Sequence, residues 1–270
     1  MRIGAIIHPT PHAALARDLA EYATRIEASG FPGIWVGDSL GRGRATLDPL
    51  TTLAALAAVT ERVELGVAVI QVPLRNPVEL AHRVQSLQAL SGNRLRLGVG
   101  SGSTKADFDL IGADFEQRFK TLMRSLDIMR LVWRGEPVND GALSAWPGTE
   151  GGPPILLGAW RNARWIAYAA TACQGWTASG RYSRWEDLER GIRLYREAGG
   201  TNAVLSNVAV DFSGSAEADA LAKVSNVCLI GSPEEARGRL KRLQRMSFDE
   251  VLLVSHSGTL DDLKRARDLL

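Results

Sequence analysis

The stretch of chain between residues 63 and 103 constrains the possible fold more than any other part of the sequence. It contains two apolar runs, residues 63–70 and 94–99, which are separated by an Asn-Pro pair and one amphipathic segment. The first run is apolar on both faces apart from Glu64, which is typical of a strand in a parallel sheet that is covered on both sides. The stretch therefore predicts a strand–helix–strand unit.

The boundaries of this unit are marked by particular residues. Asn76 is a suitable helix cap, Pro77 suits the first helical position, and Glu79 completes a capping box with Asn76. Residues 100–103, with the sequence Gly-Ser-Gly-Ser, follow the second predicted strand at its carboxyl end. In parallel α/β folds that end of the strand faces the ligand.

The same alternation of apolar strand and amphipathic helix continues along the whole chain. It predicts eight strands, at residues 3–7, 31–36, 63–70, 94–99, 155–157, 175–178, 205–211 and 250–254, and one long helix over residues 108–133. We therefore predict a closed (β/α)8 barrel that forms one domain of residues 1–270. An open doubly wound sheet is the alternative, but it would require a G-x-G-x-x-G turn where His8-Pro9-Thr10-Pro11 stands. The Gly- and Pro-rich residues 134–154 are predicted to form a lid.

The composition excludes several classes of protein. The 32 basic residues are spread among 30 acidic ones, so the net charge of +2 does not indicate a nucleic-acid-binding protein. Cys173 and Cys228 have no C-x-x-C spacing, which favours buried reduced thiols. No apolar run is long enough for a membrane span, and Pro9 interrupts the amino-terminal run too early for a signal peptide, so we expect a cytoplasmic protein.

In a barrel, the side chains at the carboxyl ends of the strands line one mouth. The candidates at this mouth are His8, Asp38, Ser39, Gln71, Ser101, Ser103, Trp160, Arg161, Ser179, Asp211 and His256. There is no H-E-x-x-H motif or Cys/His cluster, so no metal site is predicted, and Lys105 is the only lysine near the mouth. A mouth with so few reactive groups suits a cofactor that brings its own chemistry.

Two segments could bind a cofactor phosphate through backbone N–H groups. One is Ser101-Gly102-Ser103 with the preceding Gly100, and the other is Gly158-Ala159-Trp160-Arg161-Asn162, where a helix start lies beside a guanidinium. The alternative interpretation of each is an ordinary turn. Trp146, Trp160 and Trp176 near the mouth indicate a small-molecule substrate that is partly apolar.

Asp38 and His8 are the polar residues most suited to chemistry. An acid at the end of an apolar strand, as Asp38 is, either caps the following loop or holds a ring or substrate by a hydrogen bond. His8 could donate or accept a proton, or it could be a hydrogen-bonded structural histidine. Both alternatives remain open for each residue.

Four segments carry a resemblance to a known family. They read DPLTTLAALAAVTERVELGVAV, PLRNP, LSGNRLRLGVGSGS and PPILLGAWRNARWIAYAATACQGW. Their order and spacing resemble the bacterial luciferase-like family of flavin- or deazaflavin-dependent oxidoreductases, over residues Arg2 to Leu270. The resemblance implies a flavin-type ring across the mouth, supported by a bulge in the third strand with a non-prolyl cis peptide at Ala68–Val69. It also implies cofactor contacts from Asp38, Ser39, Ala68, Val69, Ser101, Gly102, Ser103 and the five residues Gly158 to Asn162.

The sequence departs from the pattern of the family at two positions. Ser39 stands where many relatives have a histidine that can act as a base, and Ser103 stands where the sugar-phosphate enzymes have an acid. Both departures argue against a sugar-phosphate alcohol as substrate.

The resemblance implies one principal function and two alternatives. The principal function is that of a monooxygenase, in which reduced FMN and O₂ oxidise a small organic substrate. The first alternative is a dehydrogenase or reductase that transfers hydride with the deazaflavin coenzyme F420, and the second is a flavin-binding barrel without catalysis. The family also implies a homodimer, for which the Ala-rich helix at residues 51–60 could supply a contact.

Overall fold

A computed structural model of the chain describes residues 1–9, 11–40, 42–43 and 45–270. Its strands are β1 (Arg2–Ile7), β2 (Gly33–Val36), β3 (Glu64–Gln71), β4 (Leu95–Gly100), β5 (Ile155–Gly158), β6 (Gly175–Ser179), β7 (Ala203–Asp211), β8 (Cys228–Ile230) and β9 (Glu250–Ser255). Its α-helices are α1 (Leu15–Ala28), α2 (Pro49–Ala57), α3 (Pro77–Leu90), α4 (Lys105–Ile111), α5 (Arg118–Trp133), α6 (Ala163–Ala172), α7 (Trp185–Glu197), α8 (Ala216–Val224), α9 (Pro233–Arg245) and α10 (Leu260–Arg267). A 3₁₀ turn, Val72–Leu74, follows β3.

The strands form one sheet in the order β6-β5-β4-β3-β2-β1-β9-β7-β8, and a further pairing of β6 with β7 closes it. Eight of the strands thus make the closed (β/α)8 barrel, so the predicted fold class is confirmed, and all eight predicted strands are present. The strand β8 was not predicted. It has three residues and pairs with the carboxyl-terminal part of β7, from Ala209 to Asp211. Such a short run carries no periodicity that a sequence can reveal.

The residue contacts divide the chain into two compact units, which we describe separately. The first unit comprises Met1–Ile7, Arg25–Trp35 and Leu156–Leu270, and the second comprises His8–Thr24 and Val36–Ile155.

In the second unit, α2 and α3 both begin at a side-chain cap, and the cap predicted at Asn76 is confirmed. The Asp48 carboxylate accepts from the Thr51 backbone N–H at the start of α2, and the Asn76 side chain accepts from the N–H groups of Val78 and Glu79 at the start of α3. The Glu79 carboxylate lies 3.6 Å from the guanidinium of Arg83. Both helices therefore begin with a side-chain acceptor followed by a proline, because the first turn leaves N–H groups without intrahelical partners.

The single long helix predicted for residues 108–133 is wrong, because the structure divides this stretch into α4 and α5. Gly112 has a φ of 70°, and its left-handed backbone ends α4. The Asp114 carboxylate then accepts from the N–H groups of Glu116 and Gln117, which holds a turn before α5. Glycine and aspartate together end one helix and start the next.

The third strand carries the bulge that the resemblance implied. The register with β4 shifts between Val67 and Ile70, and the Ala68–Val69 peptide bond is cis. The bulged residues lie against two glycines of β4. A Cβ atom on Gly98 would lie 2.0 Å from the Val67 carbonyl oxygen, and one on Gly100 would lie 2.6 Å from Val69 Cγ2. The glycines of β4 therefore make room for the bulge.

The segment 134–154, for which the sequence predicted a lid, packs beside α3. The ring of Trp146 contacts His82 of α3 edge to face, with ring centroids 5.6 Å apart, and the Asn93 side chain donates to the Gly148 carbonyl at 2.9 Å. Asn93 precedes β4, whereas residues 100–103 follow it. These contacts hold Trp146 and Gly148 beside α3 and the start of β4, and the lid stays a prediction.

In the first unit, β1, β9, β7 and β6 pair in parallel, and the indole of Trp176 fills the space between β6 and α7. Trp176 is fully buried between Tyr195 and Phe248, and a Cβ on Gly191 of α7 would lie 2.7 Å from its ring. The interpretation of Trp176 as a residue of the mouth is therefore wrong. Its side chain faces the helices because Thr177 and Ser179 occupy the alternate positions of β6.

The described residues also bear on three expected absences. Cys228 is buried, Cys173 is half-buried, and neither forms a disulfide bond. Over the described ranges, no helix is both long and apolar enough to cross a membrane. No group of three or more His, Cys, Asp or Glu side chains in the same ranges is arranged to hold a metal ion.

The close approach of β3 to β4 generates a stability prediction. We expect Gly98→Ala to lower the free energy of unfolding by about 1–3 kcal/mol, because the new methyl group would overlap a backbone carbonyl. Urea unfolding measures the change. Gly238→Ala is the matched control, because Gly238 lies inside α9, where an added Cβ would meet no described atom from outside its own helix within 4 Å. The control should stabilise the protein by about 0.5–1 kcal/mol, and equal stability of Gly98→Ala and wild type would contradict the bulge packing.

Burial raises the pKa of Tyr195 above its ordinary value, and the backbone N–H of Asn202, which donates to the hydroxyl oxygen at 3.3 Å, lowers it in part. Because the folded state holds this proton more tightly than the unfolded state, the stabilisation is complete below about pH 10 and is lost as the pH rises through the raised pKa. Tyrosinate absorbance should show one tyrosine that titrates late. Tyr195→Phe should remove that component, and an unchanged titration curve in the variant would refute the assignment.

Candidate functional site

The carboxylate of Asp38 is the centre of a polar cluster in the second unit. Arg75 binds it with two parallel hydrogen bonds, from Nη1 to Oδ2 at 2.7 Å and from Nη2 to Oδ1 at 2.9 Å. The backbone N–H of Gln71 donates to Oδ2 at 2.8 Å. The Asp38 side chain is only 4% exposed. Both carboxylate oxygens are thus engaged within the chain, which fits a group that positions its neighbours better than it fits a base.

The side chain of Gln71 connects Asp38 to a second buried acid. Its Nε2 donates to Asp107 Oδ2 at 2.9 Å, and Asp107 is fully buried. Because a carboxylate only accepts hydrogen bonds, the atom of the Gln71 amide that faces Asp107 must be the nitrogen Nε2 and not the oxygen Oε1. Among the described residues, Gln71 Oε1 has no hydrogen-bond partner.

Two further arginines balance the remaining acids of the cluster. Arg42 donates from Nε and Nη2 to Asp107 Oδ2 at 3.1 and 2.9 Å, and Arg83 donates to Asp48 Oδ1 at 2.9 Å. Asp48 also lies 3.8 Å from Arg75. Every carboxylate of this cluster therefore faces a guanidinium, as buried charges require.

The serine- and glycine-containing loop after β4, one of the two predicted phosphate segments, packs closely against its neighbours. Gly102 has a φ of 80°, and a Cβ on it would lie 2.7 Å from the Phe108 ring and 3.0 Å from Gln71 Oε1. Ser101 is half-buried and Ser103 is exposed. The glycines at 100 and 102 are thus needed for packing, and phosphate binding by this loop stays a prediction.

His8 directly follows β1, and Ser39 lies in the loop after β2. His8 is exposed, and its imidazole would lie 3.1 Å from a Cβ on Gly37. The Ser39 hydroxyl donates to the Thr46 hydroxyl at 3.4 Å, and the Thr46 hydroxyl donates back to the Ser39 carbonyl. The structure therefore brings His8 next to the residue that precedes Asp38.

The second predicted phosphate segment, Gly158 to Asn162, belongs to the first unit. The Asn162 side chain caps α6 by accepting from the N–H groups of Arg164 and Trp165. The Ala159 carbonyl accepts from the Trp176 indole at 2.7 Å. The Arg161 guanidinium is largely exposed and lies 3.8 Å from the Asp187 carboxylate. Helix capping and packing explain two of these residues without a ligand.

An aromatic pair and a set of hydroxyl groups lie in the same unit. The Trp160 ring stacks on Tyr182 with centroids 4.6 Å apart. Thr177 Oγ1, Ser179 Oγ and Ser183 Oγ are buried and have no hydrogen-bond partner among the described residues. Buried hydroxyls without partners are rare in folded proteins, and they fit donation to an anionic oxygen such as that of a phosphate.

The remaining predicted residues are placed as follows. Asp211 is buried, and its Oδ1 accepts from the Ser213 N–H at 2.8 Å, as in a turn. His256 is exposed, and its backbone N–H donates to the Val210 carbonyl. The first contact belongs to a turn, and the second continues the pairing of β9 with β7.

Sequence reasoning missed Arg75, Asp107 and Arg42, which take part in two ion pairs of the second unit, Arg75–Asp38 and Arg42–Asp107. Arg75 lies in the PLRNP segment, so a signal was present without an indication of its role. Asp107 stands in a helical stretch among other acids, and only its complete burial distinguishes it. Arg42 lies in a loop, where sequence patterns say little about contacts.

Comparisons with known proteins bear on the family and the fold. A family model described as luciferase-like monooxygenase matches residues 1–210. The 4-hydroxyprotoasukamycin monooxygenase of Streptomyces nodosus subsp. asukaensis is 32% identical over 165 residues, which are 56% of this chain and 44% of that protein. The F420-dependent glucose-6-phosphate dehydrogenase of Amycolatopsis mediterranei is 34% identical over 131 residues, which are 46% of this chain and 39% of that protein. The match thus spans less than half the length of these curated relatives.

A solved structure gives the same fold over nearly the entire chain. It is the oxygenating constituent of 3,6-diketocamphane monooxygenase from the CAM plasmid of Pseudomonas putida, a type II Baeyer-Villiger monooxygenase in complex with FMN. The TM-score is 0.76 at 17% identity, with 98% of this chain and 96% of that chain covered. The family model covers most of the sequence, and the barrel extends over the whole of it. This chain belongs to the luciferase-like monooxygenase family.

Proposed function

We propose that the chain is a monooxygenase that uses reduced FMN and O₂ to oxidise a small, partly apolar organic substrate. The observation that carries the proposal is the bulge of β3, where Val69 is half-buried against Gly98 and Gly100. In the family that the sequence resembles, this bulge supports the flavin-type ring. A small aliphatic side chain on a rigid strand suits one face of a planar ring.

The residues of the second unit would hold such a ring and exclude water from one of its faces. Ala68 and Val69 offer an apolar surface, and the hydrogen bonds of Asp38 and Gln71 fix the strand that bears them. Reduced FMN, when bound, supplies the electrons that activate O₂. His8, exposed beside Gly37, is a group of this unit that can hold or deliver a proton at its imidazole.

The hydroxyls of the first unit support binding of a group with a phosphate. Ser179 and Ser183 are buried, and their Oγ atoms lack hydrogen-bond partners among the described residues. FMN and F420 both contain a phosphate, so this observation does not favour either of them. Trp160, stacked on Tyr182, remains the aromatic side chain that supports a partly apolar substrate.

Hydride transfer with F420 is the second candidate function, because one relative is an F420-dependent dehydrogenase. The residues after β2 and β4 argue against alcohol oxidation of that kind. Ser39 bonds to Thr46 and cannot act as a base near neutral pH, and Ser103 is an exposed hydroxyl. A flavin-binding barrel without catalysis is the third candidate. As for assembly, we propose a homodimer, in which the exposed small residues of α2, such as Ala55, would contact the second copy.

Titration with each cofactor tests the choice of FMN. We expect reduced FMN to bind at least about tenfold more tightly than F420, a difference of roughly 1.4 kcal/mol, and the reduced complex to consume O₂ faster with a substrate present. Equilibrium dialysis and oxygen uptake measure the two effects. Preferential binding of F420 with reversible reduction would favour the dehydrogenase, and binding of FMN without turnover of any acceptor would favour the non-catalytic barrel.

Removal of the buried hydroxyls tests the phosphate contact. We expect Ser179→Ala and Ser183→Ala each to weaken FMN binding by about tenfold or more, because a hydrogen bond to a charged group contributes roughly 1.5–3 kcal/mol. Riboflavin, which has no phosphate, should bind equally to wild type and variants. Ser86→Ala is the control, because Ser86 is half-buried on α3 and its hydroxyl donates to the His82 carbonyl of the same helix. Equal losses for FMN and riboflavin would place the phosphate elsewhere.

A further inference from the structure

The contact between Arg75 and Asp38 has the geometry of a fixed, two-point ion pair. The two N–H···O distances are 2.7 and 2.9 Å, and the side chains are only 16% and 4% exposed. A bidentate pair shielded from water is stronger and better defined than a surface salt bridge. The pair therefore holds its two backbone segments in one arrangement.

Those segments are the end of β2 and the turn after β3. Arg75 follows the 3₁₀ turn and also donates from Nη1 to the Gln71 carbonyl at 3.1 Å. Asp38 lies after β2 and accepts from the Gln71 N–H at 2.8 Å. Both backbone groups of Gln71 are thus held by the pair, Gln71 N–H by Asp38 and Gln71 C=O by Arg75.

Gln71 is the last residue of β3, and it closely follows the bulged residues in sequence. The methyl groups of Val69 lie against the two glycines of β4, where a Cβ would come within 3.2 Å of Cγ1 at Gly98 and 2.6 Å of Cγ2 at Gly100. A small rotation of the strand end would move Val69 toward or away from β4. Because the packing at these positions leaves no free space, even a small shift changes the contacts of Val69.

We propose that Arg75 and Asp38 are positioning residues that hold the carboxyl-terminal end of the β3 bulge and thereby set the position of Val69. Asp38 takes no part as a catalytic base in this account, because both of its oxygens are committed to Arg75 and Gln71. The placement of Val69 is a property of the free protein. Its consequence for cofactor binding rests on the function proposed above.

Lysine cannot replace Arg75 in this arrangement. The contacts require two N–H groups in one plane for the carboxylate, and one of these groups must also reach the Gln71 carbonyl. A guanidinium provides this fork, whereas an ammonium group is a point charge on a flexible chain. Arg75→Lys therefore keeps the charge and removes the geometry.

Arg83 provides a matched control in the same unit. It donates to Asp48 at 2.9 Å, lies 3.6 Å from Glu79, and is 35% exposed. Both of these acids stand at the amino-terminal ends of helices, Asp48 before α2 and Glu79 in the first turn of α3. Asp48 also lies 3.8 Å from Arg75, but the Arg83 guanidinium has no described contact with Asp38 or Gln71. Arg83→Gln and Arg83→Lys therefore remove an arginine ion pair of similar length and keep both members of the Arg75–Asp38 pair.

The first experiment uses the ligand-free protein with ¹³C-labelled valine methyl groups. We expect Arg75→Lys, Arg75→Gln and Asp38→Asn to shift or broaden the Val69 methyl resonances, which Val69→Ala assigns. The Val132 resonances on α5 should stay in place, and the Arg83 variants should leave Val69 unchanged. If Arg75→Gln fails to fold, Arg75→Lys decides. Unchanged Val69 resonances in a folded Arg75→Lys variant would overturn the proposal, as would equal shifts in the Arg83 variants.

The second experiment measures FMN and riboflavin binding to the same variants. We expect Arg75→Lys and Asp38→Asn to weaken both ligands by the same factor, about tenfold, because the pair positions the surface under the ring and not the phosphate. Guanidinium ion at low millimolar concentration should partly restore binding to Arg75→Ala and have no effect on Arg83→Ala. Loss of FMN affinity alone would contradict the proposed role.

The two experiments separate this proposal from the proposed function. If wild type binds neither FMN nor F420 while Val69 still responds to the Arg75 variants, the proposed function fails and the positioning role stands. If wild type binds FMN and the Arg75 variants bind it equally well, the positioning role fails and the proposed function stands.

Discussion

The close approach of the bulged strand β3 to β4 is the constraint on which the rest of the candidate site depends. The Val67 carbonyl and the Val69 side chain occupy the space that Cβ atoms at positions 98 and 100 would otherwise fill. A strand can deviate from regular pairing in this way only where its neighbour has no side chains. The glycines of β4 therefore have a structural purpose that precedes any contact with a ligand. The same packing leaves Val69 half-buried, with part of its surface available to a cofactor ring.

Charge compensation is the second organising interaction in this part of the chain. Three acids and three arginines pair within the second unit, namely Asp38, Asp48, Asp107, Arg42, Arg75 and Arg83. The fully buried Asp107 is the strictest case, because an unpaired carboxylate at that depth would be costly. Its contacts with Arg42 and Gln71 link the loop after β2 to the end of β3. The cluster thus holds the end of the bulged strand, and its acids are occupied in holding structure.

The predictions that the structure confirms concern features set by neighbouring residues in the sequence. Those that are wrong concern features set by single residues that oppose the local periodicity, or by packing. Apolar runs and helix caps were predicted well, because Asn76 and Pro77, for example, act on their immediate neighbours. The long helix over residues 108–133 failed because Gly112 and Asp114 act against the apolar periodicity that surrounds them. Trp176 was assigned to the mouth because its position in the sequence is near a strand end, but the alternation of β6 turns it toward α7. The candidate site was predicted as a set of residues, whereas the role of Asp38 stayed open.

The sequence by itself determined the eight barrel strands, the helix caps and, through its family resemblance, the place of the bulge. These features depend on local periodicity or on motifs that are contiguous in the chain. Only the tertiary structure decided that Asp38 is bound by Arg75, 37 residues away, and that Asp107 is bound by Arg42, 65 residues away. A side chain's partner across such a distance follows from how the strands and helices pack. No local pattern contains that information, and it is the partner that decides whether a carboxylate is free for chemistry or committed to holding the fold.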